Sequence, residues 1–340
     1  MPSKRLIRAG LVVGLTASLQ FAMSEVHLAQ QAAPPGAPQG ATGAPQEGRG
    51  GGRGRVDPRV QQRTYTFADT NEQLPSALYV SSKVSKDKKN PLIIALHGLG
   101  GTQDTMVRES LKAVELAEQG GYILAAPMGY NCGGWYGIPA GAPRGGGAGG
   151  RGPAAAAPPQ TAAPQAGAPQ TGAPGANAGG APQRGGGRGG GTACVGGGTA
   201  VTDAAKVREL SEKDVMTVLD MLRKEFNVDE RRTYLMGHSM GGSGTLYLGA
   251  KHASIWAAVA AIAPPGAGSA DGLAAGKVPV FVIQGDMDTA VPVAGTRRYI
   301  ERLKELNATY EYLEIPGADH SITGIPEIYA FFAKHSKPAK

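Results

Sequence analysis

Cysteine is almost missing from this chain of 340 residues: Cys132 and Cys194 are the only two. They are far apart and neither lies in a C-x-x-C motif, which excludes the common zinc ribbons and a thioredoxin-like redox centre. Long apolar runs are missing as well. The one candidate, in "MPSKRLIRAGLVVGLTASLQFAM", follows Lys4, Arg5 and Arg8 and is too short to cross a bilayer. It reads as a signal peptide over residues 1–29, with Ala22, Ser24 and Ala29 as small residues that suit cleavage; an uncleaved membrane anchor is the alternative. No cysteine follows the apolar stretch, so a lipoprotein anchor there is excluded, and no stable membrane insertion is expected after cleavage. An excess of charge is missing from the part that can fold. The net +7 comes from the signal region and from Arg49, Arg53, Arg55, Arg144, Arg151, Arg184 and Arg188. Setting these aside with Glu25 and Glu47 leaves 24 basic against 25 acidic residues, which gives no reason to expect a nucleic-acid-binding face.

What is abundant is glycine, 53 residues, together with 25 prolines. Much of both falls in two segments. Residues 30–58 and the insertion 140–198 are written mostly in Pro, Gly, Ala, Gln and Arg, and bury too little apolar surface to offset the entropy of ordering. Both are expected to be disordered. Their Arg-Gly pieces resemble RNA-binding tracts, but a solvated linker is the reading adopted. The catalytic part would then be residues 59–340, interrupted by the insertion. Cys132 and Cys194 flank that insertion, in "NCGGWYG" and "TACVGGG". An oxidising compartment favours a disulfide across its base; a pair of buried thiols is the other reading.

Between these segments strands and helices alternate. "RTYTFAD" (63–69) and "SALYVS" (76–81) form an opening hairpin, and "PLIIALHG" (91–98) is a strand buried on both faces. A helix is expected over 104–119, a strand over 121–127, and a helix over 211–227, opened by a capping-box-like Ser211 and Asp214 and carrying the stripe Val215, Val218, Leu219 and Leu222. Strands follow at 233–237, 257–264, 278–285 and 309–316. The helices between and after them end near Lys251, span about 292–306, and close the chain over 325–335. The pattern predicts an α/β fold, a mostly parallel central sheet flanked by helices, with reactive residues at the carboxyl ends of strands.

One such end carries "GHSMGG". The G-x-S-x-G pattern is weak in so glycine-rich a chain, but here it closes a buried strand and opens a helix. Ser239 is the candidate nucleophile, with Gly237 and Gly241 small enough for a sharp turn. Of six histidines, His320 in "IPGADHSITG" follows the last strand and suits a general base. His238 is expected to point away from the serine, His252 to face the helix's carbonyl end, and His335 to lie in a frayed tail. Asp288 in "VIQGDMDTAVP" is preferred as the carboxylate orienting His320, with Asp286 as runner-up; Asp319 is too near in sequence to meet His320 side chain to side chain. The order Ser, Asp, His is that of one superfamily of hydrolases. An oxyanion would be held by the N–H of Met240 and by one from "LHGLGG": Leu99 is preferred, Gly98 or Gly100 being the alternatives. His97 is expected to brace that loop. Trp135 and Tyr136 are candidates for a wall of the acyl pocket, or for ordinary packing.

Together "LHGLGG", "GHSMGG", "GDMDTAVP" and "GADH" resemble the α/β-hydrolase superfamily. The stretch from Glu212 to His252 is similar to secreted esterases of the polyhydroxybutyrate-depolymerase and feruloyl-esterase-like group, and to prolyl-oligopeptidase-type domains. The resemblance implies hydrolysis of a small-molecule or polymeric carboxylic ester through an acyl-enzyme, without metal or organic cofactor. It covers about residues 75–336, except where the insertion replaces a compact loop of the relatives. A peptidase using the same residues is the nearest rival, weakened because no propeller or other gating domain precedes residue 59. A binding protein on a hydrolase scaffold is the more distant rival. Oligomeric state and the identity of the ester are not specified by the pattern.

Overall fold

A computed structural model describes residues 5–9, 54–140, 196–266 and 270–338. The rest of the expected signal segment, most of residues 30–58, and nearly all of the insertion, Cys194 included, lie outside the described residues. The described chain runs β1 (Arg5–Ala9), β2 (Gln61–Phe67), β3 (Glu72–Val80), β4 (Asn90–Leu96), α1 (Ala113–Gly120), β5 (Ile123–Pro127), α2 (Ala204–Glu225) and β6 (Val228–His238). It continues with α3 (Met240–Lys251), β7 (Ala258–Ile262), α4 (Ala270–Ala275), β8 (Val280–Gly285), α5 (Val293–Glu305), β9 (Tyr310–Ile315) and α6 (Ile325–Lys334). The sheet order is β1-β9-β8-β7-β6-β4-β5-β3-β2. From β5 through β4, β6, β7 and β8 to β9 every pairing is parallel; β3, β2 and β1 join antiparallel at the two edges.

The central strands are apolar on both faces because helices cover both. Alternation sends Leu92, Ile94 and Leu96 of β4 into one core, with Val215, Val218 and Leu219 of α2 and Leu246 of α3. Ile93 and Ala95 go into the other, with Val114 of α1 and Phe331 and Phe332 of α6. The α2 stripe expected from the sequence is buried throughout.

Three local expectations need correction, and one helix is not anticipated by the sequence. The helix over 104–119 is broken: Thr105–Val107 and Glu109–Leu111 are single 3-10 turns, and Lys112 takes a left-handed φ of 56° before α1 begins. The incoming chain causes the break. Asp57 N–H donates to the Val107 carbonyl, and Glu109 N–H to the Arg55 carbonyl, which pulls Arg108 into extended backbone. The second correction concerns α2, which starts seven residues before Ser211. Its cap is Asp203, whose carboxylate accepts the Lys206 N–H at 2.8 Å. Ser211 and Asp214 are wholly buried inside the helix and hold a loop. Ser211 Oγ accepts the Tyr136 N–H at 3.0 Å, while Asp214 accepts the Tyr130 N–H at 2.9 Å and the Tyr65 hydroxyl. Burial raises the Asp214 carboxyl to about 6. Third, His335 is not in a frayed tail. Its ring packs 4.4 Å from that of Phe331, and its carbonyl accepts the Tyr234 hydroxyl at 2.6 Å. Last, α4 has six residues, too few for a period to show in the sequence.

Candidate functional site

At the carboxyl end of β6 the chain turns on Ser239, whose φ of 54° and ψ of −120° lie outside the regions a serine ordinarily adopts. The turn is held by the Ser239 N–H donating to Ile262 O at 2.8 Å, and by the Ser239 carbonyl accepting from Ser243 at 3.0 Å. Its neighbours must lack side chains. A Cβ on Gly237 would stand 2.3 Å from the Gly241 carbonyl oxygen, and one on Gly241 2.4 Å from that of Leu96. Glycine at both positions is therefore demanded by contact, independent of how common glycine is elsewhere in the chain.

Two loops bring the other groups to the serine. His320, after β9, sets Nε2 2.8 Å from Ser239 Oγ, and its Nδ1 lies 2.7 Å from Asp288 Oδ2, after β8. With Asp288 a carboxylate, Nδ1 carries the proton and Nε2 accepts from the serine hydroxyl. The Asp288 side chain is fully buried and accepts three further bonds: Gln284 Nε2 at 2.9 Å, Ala290 N–H at 2.9 Å and Val291 N–H at 2.7 Å. The runner-up Asp286 is turned elsewhere and accepts the Gly317 N–H at 2.6 Å. Asp319 accepts the N–H and hydroxyl of Ser321.

On the other side of Ser239 lies the loop after β4. It comes so close that a Cβ on Gly98 would be 3.1 Å from Ser239 Cβ. The Gly100 N–H is already given to the Cys132 carbonyl at 2.8 Å, which removes Gly100 as an oxyanion donor. Among the described residues, neither the Leu99 nor the Met240 N–H has a backbone partner outside regular elements. Buried His97 places Nδ1 2.8 Å from Gly98 O and Nε2 2.7 Å from Met128 O, linking this loop to the segment after β5.

Of the proposed pocket wall, Trp135 is half-buried under the Arg208 guanidinium, 5.7 Å from its ring centre. Tyr136 cannot be a wall, because its side chain is wholly buried against His97. Cys132 is disulfide-bonded; Cys194, the chain's only other cysteine, lies outside the described residues. Two large apolar side chains are exposed near these loops, Leu99 and Met287. Among the described residues no cluster of three or more His, Cys, Asp or Glu side chains could hold a metal ion, and no helix is long and apolar enough to cross a membrane.

The residue that sequence reasoning missed is His238. It does not point away: its ring centre is 4.8 Å from that of His320, and its Nε2–H donates to the His320 carbonyl at 3.0 Å. It therefore holds the backbone of the histidine that meets the serine. Burial, then the nearby His320, pushes the His238 imidazole down to about 4. The signal was its position: the residue before a serine on so tight a turn must face one of the converging loops. The sign of its pH effect follows. In the unfolded chain His238 binds a proton below about 6.5, whereas the folded protein resists binding until about 4. Native stability is therefore lost as pH falls across that window, by about 1.4 kcal/mol per pH unit for this group. His238→Gln keeps a donor and cannot titrate. In urea unfolding at pH 7 and pH 4.5, wild type should lose about 2 kcal/mol relative to this variant. The opposing contribution of Asp214 is common to both proteins and cancels. A gap independent of pH would show that His238 is not held neutral.

The fold around this site is that of the α/β-hydrolases. Residues 213–333 match a protein-family model described as PET hydrolase-like. Cutinase 2 of Thermobifida cellulosilytica is 33% identical over 99 residues, 29% of this chain and 37% of that protein. The chain thus spans little more than a third of that relative's length. Among solved structures, a thermostable esterase aligns over 82% of this chain and 64% of its own at 21% identity, with a TM-score of 0.53. A ferulic acid esterase of Anaeromyces mucronatus aligns over 84% of this chain and 94% of its own at 18% identity, with a TM-score of 0.52.

Proposed function

We propose that this protein is an exported serine hydrolase that cleaves carboxylic esters through an acyl-enzyme. The observation that carries this reading is the unbroken relay from Ser239 Oγ through His320 to buried Asp288, on a strained turn beside two N–H groups, of Leu99 and Met240, without a backbone partner outside regular elements among the described residues. In the first step Ser239 Oγ attacks the ester carbonyl carbon as His320 Nε2 takes its proton. Asp288 holds the imidazole in the required tautomer and stabilises it once charged. The oxyanion is received by the N–H groups of Leu99 and Met240, each such donor being worth about 3 kcal/mol. His320 then protonates the departing alkoxide. A water molecule, activated by the same nitrogen, releases the acid and restores Ser239.

The likeness to a PET hydrolase-like family over the segment bearing Ser239, Asp288 and His320, and to a cutinase over 99 residues, supports an ester substrate, small or polymeric. Leu99 and Met287, exposed beside the site, suit an apolar one. Export is supported by the basic-then-apolar start of the chain. Removing residues 1–29 would take β1 with it and leave β9 as the edge of the sheet. A matched panel of chromogenic esters and peptide amides tests the activity: esters, short and long, should turn over faster than the amides. Faster cleavage of amides would replace this reading with a peptidase.

A further inference from the structure

Three contacts tie residues 128–137 to the loop that carries the proposed oxyanion donor. The Met128 carbonyl meets His97 Nε2 at 2.7 Å, the Cys132 carbonyl accepts the Gly100 N–H at 2.8 Å, and the Tyr136 hydroxyl donates to the His97 carbonyl at 3.1 Å. The last has the least ordinary setting. Tyr136 is wholly buried, yet its backbone is left-handed, with φ of 49°, directly after Trp135 at 55°. Such a conformation persists only where its surroundings enforce it. Here Ser211 Oγ, inside α2, accepts the Tyr136 N–H at 3.0 Å. Two glycines make room for the ring: a Cβ on Gly129 or on Gly244 would stand 2.5 or 2.6 Å from its atoms.

The consequence is in the peptide planes. Leu99 N–H and Gly98 C=O belong to one planar trans unit and point in opposite directions, so fixing the carbonyl aims the N–H. The Gly98 carbonyl is held by the Gly101 N–H at 2.9 Å and faces His97 Nδ1 at 2.8 Å. Tyr136 holds both halves of His97. Its ring packs edge-on against the imidazole, with centres 5.8 Å apart at 65°, and its hydroxyl grips the carbonyl one peptide earlier. We infer that Tyr136 is a positioning residue for the oxyanion site, aiming the Leu99 N–H through His97 without touching substrate. This rests on the serine-esterase reading above. Burial holds the phenol well above its ordinary value, so it remains a donor throughout the working pH range.

Tyr136→Phe keeps the ring and deletes the grip on the His97 carbonyl. Tyr329→Phe is the matched control, because the buried Tyr329 hydroxyl likewise donates to a carbonyl, that of Ala113, away from the site. With a chromogenic ester, Tyr136→Phe should lower kcat about tenfold with KM within about twofold, a fraction of the loss seen when an oxyanion donor is deleted outright. Affinity for a phenylboronic acid, which forms a tetrahedral adduct on the serine, should weaken about tenfold in step. Tyr329→Phe should lower the melting temperature comparably and leave both constants unchanged. If Tyr136→Phe lowers the melting temperature but spares kcat and boronate affinity, the positioning role is overturned. Should Tyr136→Phe not fold, Ser211→Ala frees the Tyr136 backbone and is read by the same constants: a parallel fall of about threefold supports the role, and none overturns it. A Ser239→Ala protein that still cleaves ester would defeat the esterase reading instead, whatever Tyr136→Phe does.

Discussion

Ser239→Ala should lower ester turnover by about 10⁵- to 10⁶-fold, the loss typical of removing the nucleophile from a serine triad. Two nearby candidates for a substitute nucleophile are not free. His238 is held against the His320 carbonyl, and Cys132, the one cysteine among the described residues, is disulfide-bonded. The substitution deletes only an oxygen whose partner is His320 Nε2, so the strained turn, its glycines and its backbone bonds remain. The melting temperature should therefore stay within a few degrees of wild type. In the proposed mechanism the three residues act as a unit, so Ser239→Ala, His320→Ala and the double variant should be about equally inactive, with the single losses failing to add. Measuring kcat for a chromogenic ester on folded protein, with mass spectrometry to look for the acyl adduct, decides the matter. Turnover above about one hundredth of wild type, or an adduct on another residue, would remove Ser239 from the mechanism.

How much of this was legible beforehand depends on whether the controlling contacts are local. β4 reads as a strand because "LIIAL" is apolar at every position, which only a doubly covered strand requires. The turn at Ser239 reads as a turn because the glycines that permit it, Gly237 and Gly241, lie within two positions, although Ile262 and Leu96, which hold and crowd it, are distant in sequence. Arg108 and Lys112 fail to read as a break because the force that breaks the helix comes from Arg55 and Asp57, on a segment some fifty residues earlier in sequence. Ser211 and Asp214 look like a cap because Ser and Asp three apart satisfy a capping box locally. Their actual partners, Tyr136, Tyr130 and Tyr65, are distant in sequence and carry no periodic signal. The same holds for Tyr136 and His238. Each is defined by a backbone carbonyl on another element, and a carbonyl leaves no trace in the choice of residue that bears it.

The choice between Asp288 and Asp286, open in the sequence, leads to the second large effect. Asp288→Asn should lower kcat about 10⁴-fold, whereas Asp286→Asn should change it by no more than about threefold. The difference lies in what surrounds each carboxylate. Asp288 is met only by donors: His320 Nδ1–H and Gln284 Nε2–H at Oδ2, and the Ala290 and Val291 N–H groups at Oδ1. Gln284 cannot flip to offer an oxygen, because its Oε1 accepts the Thr296 hydroxyl at 3.0 Å while its Nε2 also serves the Val291 carbonyl at 3.1 Å. An asparagine must turn its own NH₂ toward two of those donors. With its oxygen kept on the two backbone N–H groups, the NH₂ faces His320. The imidazole can meet it only by presenting a lone pair at Nδ1, which moves the proton to Nε2. In that tautomer His320 no longer accepts from Ser239 Oγ, so the proposed nucleophile loses its proposed base although every atom stays near its place. The Asp286 carboxylate accepts the Gly317 N–H, a contact an asparagine oxygen reproduces, and acts on Arg297 through its charge without a hydrogen bond. Comparable losses at both positions would mean that the loop needs both charges for its shape. A loss at Asp286 alone would reassign the carboxylate of the relay.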